Sequence, residues 1–529
     1  MANKTFWIND FSGGLKTKFR QNVIADNESP ALRNARFLLN NALSKRLGTT
    51  RIEIGSSSMA LDTSGLKGAY SYRFDPMGGL SAPLNDQVLI ASSTEIVRSI
   101  NVSTFTSVFT GMTTQSTYIN FLSLNNKVYI FNNTADSVRT LDNTNATGTV
   151  AAIPNGSSVA IFKGTVFVWG NFNTNVNRLQ WSSRNDPETW PSSNFEDIDA
   201  NDGNIAAGIY AFGNELILFK SPMIGSSFKN SKMYRISGDT FDSTNPTYTI
   251  EQISMPSNIG LVGHRTLKIF QDYLIFMTNT GFYAYRGGGQ PPEKISTNLG
   301  LNTNSEANNA LIGTSTRSSI VYQDKYYCSS NQTDISYNGQ LISLYRVFVL
   351  DENGKWWQDY LDSGSDSNTM GGSTANDWFI HNENLYSISS FSNLSLPHIV
   401  RQWETSGAFS DQQDDGTSGN VNFSYSTKEF NFLREAYFKY CYIHLRRQSS
   451  GTLTFSTNID QRGESSVSID MTAPDTNTTQ NSSSRVLRKL VNIGNTGQTI
   501  QFRLHDRGNN DVEVYAIELI YDFINIHDL

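Results

Sequence analysis

The sequence predicts an all-β protein, and three observations carry that reading. A two-residue turn followed by a run of strand formers recurs along the chain. Charge is replaced by Asn, Ser, Thr and Gly: charged residues make up 17% of the 529, and there are 39 glycines. Beyond about residue 415, apolar and polar residues alternate. Many short strands joined by many turns have this composition, and helical bundles do not. With 8 Trp, 23 Tyr and 31 Phe spread along its length, the chain can bury a large core and does not read as disordered.

The recurring turn is plainest in "LNNKVYIFNN", Leu124 to Asn133. Adjacent asparagines tolerate the left-handed backbone of a tight hairpin turn. Val128, Tyr129, Ile130 and Phe131 then supply the β-branched and aromatic side chains that suit a pleated sheet. The same pattern follows Asn85-Asp86, Lys163-Gly164, Gly213-Asn214, Gln271-Asp272, Gln323-Asp324 and Asn382-Glu383-Asn384. Successive turns lie roughly 40 to 60 residues apart. That is the period of β-propeller blades, small sheets that bury their faces only by stacking around an axis. A propeller of about seven blades over residues 65–414 is therefore expected, and an unrelated stack of sandwiches is the competing reading. Irregular spacing implies long loops projecting from one face, such as Ser226 to Thr249.

The flanks differ. In residues 1–64, "NESPALRNARFLLNNALSKRLG" reads either as a helix from Pro30, capped by Ser29, or as a short helical turn through Asn34 followed by a hairpin. The hairpin would pair Arg36 to Leu39 with Ala42 to Arg46 and turn at Asn40-Asn41. It is preferred because an Asn pair is poor inside a helix. Residues 415–529 read as an antiparallel β-sandwich, with Ile500, Phe502 and Leu504 facing one way and Gln501, Arg503 and His505 the other. Turn-rich segments such as Met471 to Arg485 separate its strands.

No catalytic constellation is legible: there is no GxxxxGK, HExxH or GxSxG. His264, His381, His398, His444, His505 and His527 are scattered, without metal-ligand spacing. Asp414-Asp415 lies in a turn-rich segment and reads as solvated. Trp356-Trp357 could stack a sugar but reads as core. Cys328 and Cys441 read as buried thiols, since two distant cysteines form neither a zinc motif nor a disulfide framework. The basic stretches Arg485 to Leu490 and Leu445 to Arg447 could meet phosphate, but no aromatic platform accompanies them, and a solvated strand face is preferred. The formal net charge of −7 argues against a general affinity for nucleic acid. The expectation is that the chain is not an enzyme: no catalytic, cofactor-binding or metal-ligating residue is assigned, and no cofactor. "MANKTFWINDFSGG" lacks the features of a signal peptide, and no apolar run reaches the length of a membrane helix. Synthesis in a cytoplasm and a soluble product are expected.

Several stretches carry a resemblance. "FSGGLKTKF" (Phe11 to Phe19) and "ESPALRNARFLLNNALSKRLGTT" (Glu28 to Thr50) open the chain, with Arg46 and Gly48 in place and Leu47 where proline is common. "QWSSRNDPETWPSSNF" follows from Gln180, and "GLVGHRTLKIFQDYLIFMTNTGFYAYRGG" spans Gly260 to Gly288. Together they resemble the β-propeller tail nozzle, or tail-tube hub, proteins of short-tailed bacteriophages. The resemblance implies a structural virion protein, localised in the tail and made in the host cytoplasm. It implies a homo-oligomeric, hexameric ring below the portal and the head-to-tail adaptor ring. That ring extends the DNA channel, retains and then conducts double-stranded DNA without sequence specificity, and docks tail fibres or spikes. It implies no active-site residue. A receptor- or glycan-binding propeller of a tail fibre or cell surface is the alternative expectation.

Overall fold

The computed structural model describes residues 3–524 except 56–64, 74–85, 114–117, 172–174, 223–230, 240, 242–246, 300–316, 338–339, 361–374, 390–397, 406–408, 413–417 and 476–483. Seven four-stranded antiparallel sheets follow one another along the chain. Their innermost strands are Gly68–Tyr72, Asn120–Leu124, Gly156–Phe162, Asn204–Phe212, Lys268–Phe270, Ser319–Tyr322 and Ala375–His381, and they form a closed circuit of contacts in which Asn204–Phe212 meets blade 5 through the turn His264–Thr266 that leads into Lys268–Phe270. The chain is a seven-bladed β-propeller. Blade 7 takes three strands from its own region and its outermost from the N-terminus, with Val400 opposite Ile52 and Arg401 opposite Arg51. Residues 50–53 therefore belong to the propeller, not to a separate N-terminal segment ending at 64.

The recurring turn joins the first and second strands of each blade. Asn125-Asn126, Lys163-Gly164, Gln271-Asp272, Gln323-Asp324 and Asn382-Glu383 have positive φ at both central residues, the geometry whose twist matches a hairpin. In Gly213-Asn214 only the glycine has positive φ. Asn85 lies outside the described residues, but Asp86 leads directly into the second strand of blade 1, Gln87–Ala91. The strand after each turn sits second of four, covered by a neighbouring blade on both faces. Its residues are buried in succession, as in Val128–Phe131 and Leu216–Phe219, which explains the unbroken apolar runs. The segment Ser226 to Thr249 is not simply a loop, because Lys232–Gly238 forms the third strand of blade 4.

Beyond the propeller, one ten-stranded sheet forms the C-terminal domain. Its long strands Phe430–Arg446 and Val486–Asp506 pair through two register shifts, and the second continues past its partner to pair with Thr452–Ile459. Side chains from both parts of that strand, Leu487 and Val491 with Phe502 and Leu504, enter one core. The N-terminus is woven into this sheet. Lys4–Ile8 and Leu43–Lys45 pair with Glu513–Phe523, and Ala31–Arg33 pairs with Phe423–Ser426. The hairpin Ala35–Phe37 to Leu43–Lys45 forms as expected. The expected helical turn through Asn34 does not. Ser29 caps nothing: its hydroxyl donates to the carbonyls of Ala31 and Ser426, and strand pairing outcompetes a four-residue helix. Among the described residues the only helical element is a 3-10 turn, His264–Thr266, and no helix is long and apolar enough to cross a membrane.

Candidate functional site

The N-terminal motif residues converge on a buried polar junction between the propeller and the C-terminal domain. Arg46, whose side chain is fully buried, grips Asp411 with two nitrogens at 3.0 and 2.5 Å. It also donates to the Tyr360 carbonyl of blade 6 at 2.6 Å and, through Nε, to Asn34 Oδ1 at 2.9 Å. Asn34 has φ of 52°, a conformation asparagine tolerates. Its amide reaches the Asn422 carbonyl, and its Oδ1 also accepts from Tyr360 N at 2.7 Å. Two residues beyond Arg46, a Cβ on Gly48 would lie 2.0 Å from the Ser410 carbonyl oxygen, so no other residue fits this close approach. The planar guanidinium forks are what make this recognition bidentate.

Two further cations, Arg36 at the junction and Lys45 within the C-terminal sheet, are buried beside it. Arg36 donates to both oxygens of Asp359, at 2.6 and 2.7 Å, and to Glu404 at 2.8 Å. Burial disfavours the Arg36 charge, but Asp359 and Glu404 outweigh it and hold the guanidinium above its ordinary range. Burial likewise pushes Glu404 up, and Arg36 overrides it, so the carboxyl sits below its ordinary value. Lys45 reaches Asp506 at 2.6 Å and the Gly508 carbonyl at 2.5 Å. Burial lowers its pKa, against the pull of Asp506.

A second constellation closes the propeller axis. Arg265, in the turn before blade 5, crosses to the opposite blades. It donates to the carbonyls of Lys67 and Ile119, at 2.7 and 2.6 Å, at the entrances to blades 1 and 2. Its other terminal nitrogen lies 2.9 Å from Asp377 Oδ2 on blade 7. Asp377 also accepts from Ala69 N and from the Ser318 hydroxyl. His264 Nε2 lies 2.7 Å from Asn120 Oδ1. Burial, with the charges of Arg265 and Lys268, lowers the His264 pKa to about 3, so the ring is neutral at pH 7. The "HR" of the blade-5 motif is thus an axial cross-link.

The remaining motif straps neighbouring blades. In the loop after Trp181, Glu188 accepts from Lys127 Nζ at 2.7 Å and from the Tyr129 hydroxyl at 3.1 Å on blade 2, and Trp190 Nε1 donates to the Pro187 carbonyl.

The other residues singled out from sequence are dispersed. Trp356 and Trp357 are buried core. Cys328 and Cys441 are buried free thiols, and burial raises both pKa values, Cys328 to about 12. His444 faces Glu518 at 3.3 Å, His381 lies against Asn382, and His398 is buried. The basic stretches meet carboxylates: Arg488 with Glu518, Lys489 with Asp475 and Arg446 with Glu513. Asp414, Asp415 and His527 lie outside the described residues. Among the described residues no group of three potential metal ligands occurs. Sequence reasoning missed Asp359, Asp377, Glu404, Asp411 and Asp506. Asp359, Asp377, Asp411 and Asp506 lie in strands and Glu404 in a bend, and each is identified only by the cation that folding brings to it.

No protein-family model and no curated protein matches the chain. Solved structures similar to it include virginiamycin B lyase from Staphylococcus aureus, at 11% identity and a TM-score of 0.42, covering 68% of this chain and 99% of that one. They also include exo-β-1,3-galactanase from Phanerochaete chrysosporium, at 11% identity and a TM-score of 0.26, covering 89% and 100%. A third is a glycoside hydrolase, at 9% identity and 0.24, covering 86% and 100%. The expectation that the chain is not an enzyme is corrected on this finding, because the solved structures it matches include enzymes.

Proposed function

We propose that the chain is the ring-forming subunit of a short-tailed phage tail nozzle. The observation that carries the reading is where the N-terminal pattern goes. Asn34 and Arg46 bind Tyr360 of blade 6 and Arg36 binds Asp359 beside it, so the N-terminal strands held in the C-terminal sheet are fastened to the propeller. A subunit that must hold its place in a ring under load needs its two parts to move as one, and buried bidentate pairs give that stiffness and register. Heterologous contacts between such rigid subunits close into a ring. The axial cross-link bears on the path of DNA. A propeller tied across its centre by Arg265 is not itself the conduit, so DNA would pass through the space enclosed by the ring. A net charge of −7 suits a channel that does not grip its cargo.

Mass photometry and negative-stain microscopy of the purified full chain, alone and with tail adaptor rings, test this. Rings that seat on the adaptor are expected. A chain that stays monomeric at every concentration and does not bind the adaptor would overturn the reading.

A further inference from the structure

At one end of the C-terminal sheet lies an open cleft of about 440 Å³. Strand alternation builds its floor. Leu453, Phe455, Ile469 and Leu504 point into the core, so Thr452, Thr454, Asp470 and His505 point the other way. Thr454 stands opposite His505, and Thr452 opposite Asp470. Thr472, Arg507 and Asn510 complete the wall.

Asp470, Asn510 and His505 have bonding capacity left over. Asp470 receives Thr472 N and Oγ1 on Oδ1 alone, at 2.8 and 2.7 Å. Asn510 accepts from Ser450 Oγ through its oxygen. His505 Nδ1 is buried and makes no hydrogen bond among the described residues. The lining is also near neutral. Asp470 is offset by Arg507, and Asp506, in the same wall, is already paired with Lys45. A bound phosphate would meet two carboxylates, and a bare cation would meet a guanidinium. Hydroxyl donors, a carboxylate, an imidazole and an amide, set among at least as much apolar surface, match a ligand that combines hydroxyl groups with C–H faces.

We propose that this cleft binds a neutral saccharide. The proposal stands independently of the nozzle reading, since it concerns the C-terminal domain whether or not rings form.

Saturation-transfer NMR on the full chain tests it, with methyl α-D-glucoside, methyl β-D-galactoside and N-acetylglucosamine as neutral probes and inorganic phosphate as the charged one. At least one sugar should show transfer, and phosphate none. Thr454→Val keeps the shape of an outward-facing residue, and its thermal midpoint should match the parent's. It should weaken the sugar about tenfold, as should His505→Ala. Arg178→Gln, on a distant blade, should leave the sugar's transfer unchanged. Absence of transfer with every sugar, equal transfer in both cleft variants, or phosphate competing with the sugar would each overturn the proposal.

Discussion

Blades 1 to 4 meet their neighbours through separate apolar layers, whereas blades 5 to 7 share one continuous core with the C-terminal domain. On the first side, Tyr72, Leu89 and Val128 fill one layer, Phe131 and Val166 another, Trp169 and Leu218 a third, and Phe219 and Phe276 a fourth. On the other side, Phe282, Tyr326, Trp378, Phe423 and Ile517 belong to a single cluster. The fully buried ion pairs follow the same division. Arg46–Asp411 and Lys45–Asp506 lie where the core is shared, and Arg178–Asp197, partly exposed, lies on blade 3. Repeat stacking alone sustains the first side. The second must bury charges of the N-terminal segment, and it tolerates them only because each has its partner.

The largest effect should come from breaking that junction. Arg46→Met leaves Asp411 buried without its cation and should cost about 3–5 kcal/mol. Guanidinium melts followed by near-ultraviolet circular dichroism should show propeller and C-terminal domain losing stability together. A transition that splits into two, with only one part weakened, would mean that the shared core does not couple them.

The axis spans both sides and should report on pH. The folded-state pKa of His264, about 3, lies below its ordinary 6.5. Between those values the unfolded chain takes up a proton that the folded one refuses, so stability falls as pH drops from 6.5 towards 3. The slope is up to about 1.4 kcal/mol per pH unit. His264→Gln should flatten that part of the profile, and an unchanged slope would place the titration elsewhere.

Asp202 sharpens the comparison from the free side. Burial raises its pKa, but Lys220, Asn204 N and Lys232 override that and hold it at about 2 against an ordinary 3.8. Its contribution is present above pH 4 and disappears as pH falls through about 2. Asp202→Asn should cost about 2 kcal/mol at pH 7, and the gap to the parent should close in acid. The smallest effect belongs to Arg178→Gln. It removes a partly exposed pair with Asp197 and should cost under about 1 kcal/mol, shrinking further in salt.

Much of the propeller was legible because its signals are local. Asn125-Asn126 needs only its own backbone preference to turn, and Val128–Phe131 only its side chains to prefer a sheet. Repetition of that pair then gives blades. The outward face of His505 was legible as alternation, but not as a cleft, since Asp470 reaches it from the strand Glu464–Asp470 and Asn510 from a later turn. The short helix expected before Asn34 failed because Ser29 and Ala31 find partners at Ser426, almost four hundred residues away.

By itself, then, the sequence determined the all-β class, the repeating hairpin, the blade period and the change of register near residue 415. Each of these follows from backbone preference and side-chain alternation over a few neighbouring residues. Tertiary structure alone decided that Thr50–Glu53 closes blade 7, that the first strands join the last sheet, and that Arg46 and Arg265 each meet one particular carboxylate. Those choices depend on which distant groups are brought together as water leaves, and a buried charge selects its partner only once that burial has occurred.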